Sequence, residues 1–352
     1  MLNIGLIGFG KMGQLRNQTI AASGLGEVVA VHDPMAVDFQ GLPVRATAEE
    51  VIADPKVDAV FICTPNVRNC ALTLASLSAG KHVFCEKPPA FTVAEVEQIR
   101  VVEAASGKKL MYGFNHRHHG SIKAMKAIVD TGEYGRLLWM RGRYGKSVDH
   151  TYFDTWRAQK DQAGGGILLD QGIHMLDLFL LLAGDFDQVQ AMVSNLYWRL
   201  DGIEDNVFAN LRNRQTGVVA SLHSTMSQWR HLFSLEVFLE RGHLVLNGLK
   251  TQSGTYGDEQ LSVARNRSVA PAVDWGNEQK QVFHINTSWA DETTAFLEAV
   301  VNDRAIDSGN SLDALKVMRL VEEIYRAERH EHSELHRELK GGVACPEKPM
   351  DR

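Results

Sequence analysis

Cysteine is scarce in this chain of 352 residues. Cys63, Cys70, Cys85 and Cys345 form no Cys-x-x-Cys pair, which excludes a zinc ribbon and a vicinal dithiol motif. Cys63 and Cys85 fall in apolar strand patterns and read as small buried residues. A reduced, cytoplasmic setting is the expectation. Dense basic blocks are also missing, and the net charge is −6. That argues against nucleic acid and anionic membrane surfaces as partners. The longest apolar run, Leu178–Ala183, is too short to span a bilayer. The N-terminus lacks a basic segment and a cleavable apolar stretch, so no secretory signal is visible. Internal repeats and low-complexity tracts are absent. What remains is a composition 44% hydrophobic and 23% charged, ordinary for a globular protein of two domains.

The first 118 residues alternate strand and helix patterns. Residues 2–7 form an apolar run, followed by Gly8-Phe9-Gly10-Lys11-Met12-Gly13 and a helical stretch to about Ser23. Residues 27–33 form a second strand pattern, ending on Asp33, twenty residues after Gly13. A Gly-x-Gly-x-x-Gly alone is a weak signal; between a strand and a helix, with an acid at this distance, it is a strong one. The first glycine permits the tight turn, the second lets the backbone approach a pyrophosphate, and the third lets the helix pack on the strand. Asp33 would accept from ribose hydroxyls and repel a 2′-phosphate, which favours NAD over NADP.

Further strands at 57–63, 82–85 and 109–114 alternate with helices at 48–53, 69–79 and 93–105. This pattern implies an α/β Rossmann domain with a doubly wound parallel sheet over residues 1–118. Ligands bind such sheets at the carboxyl ends of strands. Thr64-Pro65-Asn66, Glu86-Lys87 and Asn115-His116-Arg117 should therefore line one crevice with the glycine turn and Asp33.

Beyond residue 118 the grammar changes. A helix at 122–130 and a strand at 137–144 lead into Gly164-Gly165-Gly166-Ile167-Leu168-Leu169-Asp170-Gln171-Gly172-Ile173-His174. An apolar helix is expected to start there, with Asp170 and His174 four residues apart on one face, close enough to interact. A carboxylate beside an imidazole is a common acid–base unit; a helix cap and a core histidine are the plain alternative. Strand patterns follow at 189–198, 205–213, 218–225, 234–239 and 243–246, and imply a large, mostly antiparallel open sheet with one helix-covered face. Residues 251–281 read as loop-rich. Helices at 288–302 and 311–329 close an α+β domain spanning 119–340, with Ser311 as the expected cap of the last, and residues 341–352 read as a loosely held tail.

Taken together, the glycine turn, Thr64-Pro65-Asn66, Glu86-Lys87-Pro88, Trp156-Arg157 and Gly164-Gly165-Gly166-x-x-x-Asp170-x-Gly172-x-His174 resemble the glucose–fructose oxidoreductase/inositol dehydrogenase (Gfo/Idh/MocA) family of NAD(P)-dependent sugar oxidoreductases. The resemblance runs from Met1 to about Arg329. It implies a Rossmann domain, an open-sheet domain, and homodimers or homotetramers assembled through that sheet. It implies that Gly8, Phe9, Gly10, Lys11, Met12, Gly13, Asp33, Thr64, Pro65, Asn66, Asn69, Glu86, Lys87 and Asn115 serve the cofactor. Lys87, His116, Arg117, Trp156, Arg157, Asp170 and His174 serve the substrate, a sugar, nucleotide sugar or polyol. The catalytic set is Lys87, Asp170 and His174. Asn69 stands where the family often has a histidine; it cannot titrate, so its role is positional. Residues 141–146 with Trp156-Arg157 resemble members acting on nucleotide sugars more than inositol dehydrogenases.

His174 is the first choice for proton acceptor because its intrinsic pKa lies near neutrality. Lys87 would stabilise a developing alkoxide, or take the proton itself if its pKa is depressed. The task of Asp170 stays open. Alternatives are an NAD-dependent glycosidase using transient oxidation, an inositol dehydrogenase, and an NAD(H)-binding regulatory protein. Glu86-Lys87-Pro88 speaks against an amino-acid-type dehydrogenase. No metal is expected. The histidines at 116, 118 and 119 need a further ligand to form a site, and His330-Glu331-His332 lacks the zinc-protease spacing. Trp198, Trp229, Trp275 and Trp289 belong either to the core or to sugar stacking.

Overall fold

Short apolar runs alternate with helices at the start of the chain, and each run is buried on both faces. The computed structural model describes residues 1–266 and 274–341, leaving aside the side chains of 275 and 329–341. Its first part runs β1 (Leu2–Ile7), α1 (Lys11–Ser23), β2 (Gly26–His32), α2 (Ala48–Ala53), β3 (Ala59–Ile62), α3 (Asn69–Ser78), β4 (His82–Glu86), α4 (Val93–Ser106) and β5 (Leu110–Gly113). The helices start where short polar side chains cap them. Thr92 and Glu95 form a reciprocal capping box on α4, and Thr47 caps α2. The strands form a parallel sheet in the order β2-β1-β3-β4-β5. Strand order reverses between β1 and β3, so the crevice at their carboxyl ends is the natural ligand position.

The second part runs α5 (Gly120–Asp130), β6 (Leu137–Ser147), α6 (Lys160–Ala163), α7 (Ile173–Ala183), β7 (Gln188–Ser194), β8 (Asn206–Arg212), β9 (Val219–Thr225), β10 (Ser227–Leu239), β11 (Gly242–Asn247), β12 (Glu259–Arg265), β13 (Gln279–Phe283), α8 (Ser288–Val301) and α9 (Ser311–Gly341). Among the described residues these strands form one sheet, β13-β12-β11-β10-β6-β9-β8-β7. It is antiparallel except between β6 and β9. Alternation sets its two faces. Leu235, Val237 and Leu239 of β10 are buried with α7 and α9 in the core, and Gly142 of β6 lets α7 lie close, because a Cβ there would sit 2.4 Å from Met175. The opposite face leaves Trp139, Met192 and Phe208 exposed.

Three expectations need correction. Residues 251–281 hold two strands that the sequence pattern missed: β12 and the start of β13 add to the sheet edge. Their apolar signal is weak because β12 buries a carboxylate, Glu259, and β13 is a largely exposed edge strand of sequence QKQVF. The cap of α9 is Asn310, whose side chain accepts from the N–H groups of Leu312 and Asp313, rather than Ser311. The apolar stretch around α7 is also longer than Leu178–Ala183. Lys160–Ala183 has the length and hydropathy of a membrane span, but 78% of the most apolar window is buried inside the protein. The helix continues past Arg329 to Gly341; residues 342–352, and the side chains of Trp275 and the 330–336 histidine segment, lie outside the described residues.

One helix far along the chain completes the first core. Phe296 of α8 packs edge-on against Phe61 and Phe84. Beside them the fully buried Arg16 of α1 bonds Glu86 at 2.7 Å and Glu292 of α8 at 2.5 Å, with its guanidinium over the Phe84 ring. Burial raises the Glu292 carboxyl to about 8, against the pull of Arg16. The buried Glu292 therefore favours its protonated form near neutrality.

Candidate active site

The three glycines of the dinucleotide turn have three different neighbours. Gly8 has φ +91°, and a Cβ on it would lie 2.4 Å from the Cys63 carbonyl oxygen at the end of β3. A Cβ on Gly13 would lie 2.0 Å from the Gly8 carbonyl oxygen. Gly10 has nothing within 4 Å. No side chain caps α1 there, so open space faces free helix N–H groups, the arrangement a pyrophosphate needs. Asp33 stands at the neighbouring strand end. Its carboxylate accepts from the N–H of Phe9 at 2.6 Å and of Met35 at 2.7 Å, tying the glycine turn to the next loop. Lys11 and Met12 open α1, Lys11 exposed.

Asn69 is fully buried at the start of α3. Its amide donates to the carbonyls of Glu86 and Pro88 and accepts from Thr64 Oγ1. It thus staples the turn that presents Lys87, whose peptide to Pro88 is cis. Pro65 leads into Asn66, which donates to the Ala163 carbonyl and joins the two halves of the chain.

Lys87 points across to the second half. Its ammonium donates to the main-chain carbonyl of Asp170 and lies 3.5 Å from Asp170 Oδ1. Two further cations share that carboxylate: Lys146, at the end of β6, 3.0 Å from Oδ2, and Arg157, 3.5 Å from Oδ1. Burial pushes the Asp170 carboxyl up, but Lys146, Lys87 and Arg157 outweigh it and hold it well below the ordinary range. Burial also lowers the Lys87 ammonium, against the pull of Asp170. Arg157 lies over the ring of its neighbour Trp156, 4.3 Å from the centroid.

Asp170 and His174 do not form the expected pair. Residues Leu168–Gly172 wind as a π turn before α7 begins, and this wider turn separates the two side chains. Among the described residues no hydrogen bond joins them. The His174 ring stacks instead on His116, with centroids 3.9 Å apart and planes 18° apart. His174 Nδ1 is buried without a partner. Burial, then the Lys87 charge, hold His174 well below its ordinary 6.5, so the imidazole is neutral. His116 cannot reach outward, since both its ring nitrogens are committed. Nδ1 faces Asn115 Oδ1 at 3.1 Å and Nε2 faces the Tyr144 hydroxyl at 3.0 Å. With the amide oxygen of Asn115 on Nδ1, the proton sits there and Nε2 accepts from Tyr144. The Asn115 amide nitrogen donates to Ser288. Arg117 is buried too, chelated by Asp177 and Asp313.

The glycine triplet packs closely against the rest of the protein: a Cβ on Gly166 would lie 2.1 Å from the Glu204 carbonyl oxygen, and one on Gly165 2.5 Å from the Tyr325 hydroxyl. The buried Glu204 carboxylate accepts from the N–H of Gly166 and Leu168 and from Tyr325. It caps the segment that carries Asp170. Glu204, Arg16, Lys146 and Tyr144 are the residues that sequence reasoning missed. Lys146 alone left a signal, as a cation at the carboxyl end of a strand facing the crevice.

A glycine turn shaped for a pyrophosphate, beside an amine and a buried neutral imidazole, defines an oxidoreductase that works with a nicotinamide dinucleotide. Comparison with known proteins supplies the family. Residues 2–114 match the oxidoreductase family with an NAD-binding Rossmann fold, and residues 122–245 match the GFO/IDH/MocA C-terminal domain. The chain belongs to the GFO/IDH/MocA family of NAD-binding oxidoreductases. It is 32% identical to 1,5-anhydro-D-fructose reductase of Ensifer adhaerens over 228 residues, 64% of this chain and 67% of that one. It is 32% identical to levoglucosan dehydrogenase of Pseudarthrobacter phenanthrenivorans over 212 residues, 55% of this chain and 54% of that one. The structure of a levoglucosan dehydrogenase with NADH and levoglucosan shares the fold, with TM-score 0.82 and 23% identity over 94% of this chain and 98% of that one.

Proposed function

We propose that this enzyme moves a hydride between a secondary alcohol of a sugar or polyol and NAD, with His174 and Lys87 handling the proton and the charge on oxygen. The observation that carries the reading is the meeting of Lys87, from the carboxyl end of the parallel sheet, with the Asp170–His174 segment of the other half. Gly8–Gly13 would hold the pyrophosphate and Asp33 the adenosine ribose. Bound NAD supplies the hydride acceptor. In the oxidative direction the alcohol carbon loses a hydride, the O–H proton passes to neutral His174, and a ketone remains. A lone pair on a buried, unpaired imidazole is suited to that task. The Lys87 ammonium has one N–H to spare beyond Asp170 and can stabilise the alkoxide. Asp170 then acts on the lysine rather than on the histidine, holding its amine toward the crevice. His116, Asn69 and Glu204 act as positioning residues.

The exposed aromatic face of the eight-stranded sheet supports a homodimer or homotetramer. The described cysteines, Cys63, Cys70 and Cys85, are free thiols, which fits a reduced cytoplasm. The test is an NADH-formation screen over sugars, inositols and nucleotide sugars, with product analysis to separate net oxidation from glycoside cleavage. Lys87→Met and His174→Asn should each lower turnover by about 10²–10⁴-fold while NADH still binds. Normal turnover in His174→Asn would remove that residue from the mechanism.

A further inference from the structure

The charge around Asp170 does not balance. Lys87, Lys146 and Arg157 share one carboxylate. Glu86, the neighbour of Lys87, is turned away into Arg16. Among the described residues neither Lys146 nor Arg157 has a second acidic partner. Even with Lys87 neutral, two cations remain on one anion, and an oxidised nicotinamide, when bound, would add a third positive charge. A neutral polyol would leave that excess unanswered in a partly desolvated crevice. Such a surplus of one sign draws in a ligand of the other.

The geometry is more specific than a count. Arg157 uses only its Nε on Asp170; its two terminal nitrogens have no described partner. Stacking on Trp156 fixes the plane of the guanidinium. Lys146 spends one N–H on Asp170 Oδ2 and rests over the Tyr152 ring. Both side chains keep an open edge, 37% and 24% exposed. A planar fork of fixed orientation beside an ammonium matches a carboxylate, which takes two parallel N–H bonds from the fork.

Building on the hydride-transfer reading, we propose that the substrate is a sugar acid, whose carboxylate is received by Arg157 and Lys146 while its alcohol meets Lys87 and His174. Lys146 and Arg157 are then specificity-determining residues, and Asp170 holds the three cations together when the site is empty.

The test is a binding titration of the NADH-loaded enzyme with matched pairs, D-glucuronate against D-glucose and D-galacturonate against D-galactose. The acid of at least one pair should bind about 10- to 100-fold tighter than its neutral partner, the range of a charge-assisted bidentate contact. The gap should narrow at high salt. Arg157→Gln and Lys146→Met should each cut the acid-to-neutral ratio by about tenfold. Both side chains are part-exposed, so folding should survive, which circular dichroism checks. Acids that bind no better than the neutral sugars, or not at all, overturn the proposal, as does a preference that survives both substitutions. Acid preference without NADH formation from NAD would sink the hydride-transfer reading and leave this one standing. NADH formation from neutral sugars with no acid preference would do the reverse.

Discussion

The empty space beside Gly10 makes a sharp prediction. Its φ of −70° is open to alanine, and the new methyl would touch nothing within 4 Å. Gly10→Ala should therefore fold without cofactor about as well as the parent does: the stiffer unfolded chain adds about 0.4–1 kcal/mol, and alanine is the poorer N-cap of α1 by a similar amount. For a chain of 352 residues, with an unfolding entropy of about 0.7 kcal/mol/K, the Tm without NADH should stay within about 1 °C. NADH should tell the opposite story. At a hundred times Kd, the parent gains about 2.7 kcal/mol, a Tm shift of about 4 °C. A methyl pressed against the pyrophosphate should weaken binding by about tenfold or more. A tenfold loss brings the shift at the same NADH concentration to about 2 °C, and a hundredfold loss nearly abolishes it. Gly13→Ala is the control, since its methyl meets the Gly8 carbonyl at 2.0 Å and should unfold the turn with or without cofactor. Differential scanning fluorimetry with a fluorescence titration decides. A full NADH shift in Gly10→Ala, or a Tm without NADH lower by several degrees, refutes the reasoning.

Two other expectations follow from the site. Gly166→Ala forces its methyl against the Glu204 carbonyl at 2.1 Å, where ordinary contact begins near 3.4 Å, so the Asp170 segment must shift by about 1 Å; kcat should fall by about 10²-fold with NADH affinity kept, and a parental kcat would contradict the packing argument. For pH, burial and Lys87 depress His174, so its base form persists as pH falls below 6.5. Oxidative kcat/KM should stay flat to that point and decline only below it, and Lys87→Met, lacking the repelling charge, should move the acidic limb to higher pH. An acidic limb above pH 7 in the parent enzyme would show that His174 is not the base.

Much of this site was legible because strand ends converge. Gly8, Asp33, Thr64, Lys87 and Asn115 each follow an apolar run, and a parallel sheet brings such positions to one crevice whatever the side chains are. Contacts across the two halves were not legible. The Asp170–His174 spacing assumed an α-helical turn, and the π turn undid it. Glu204 reads as one acid in a polar loop; only the fold shows it gripping Gly166, 38 residues earlier. β12 and β13 escaped notice because hydrophobic alternation is a signal of burial: the edge strand β13 is exposed and has little of it, and β12 interrupts it with the buried polar residues Glu259 and Ser262.

Arg16 and Phe296 carry a consequence for biosynthesis. The parallel sheet is made within the first 113 residues, yet its aromatic core is closed by α8, which also supplies Glu292 as a partner for Arg16. The cofactor domain therefore leaves the ribosome unfinished. An arginine and two phenylalanines wait uncovered until residues 288–301 emerge, and the acid that caps the Asp170 segment waits longer still, for Tyr325. A chain cut short before its last two helices would expose apolar surface at its beginning, where a chaperone or protease would recognise it.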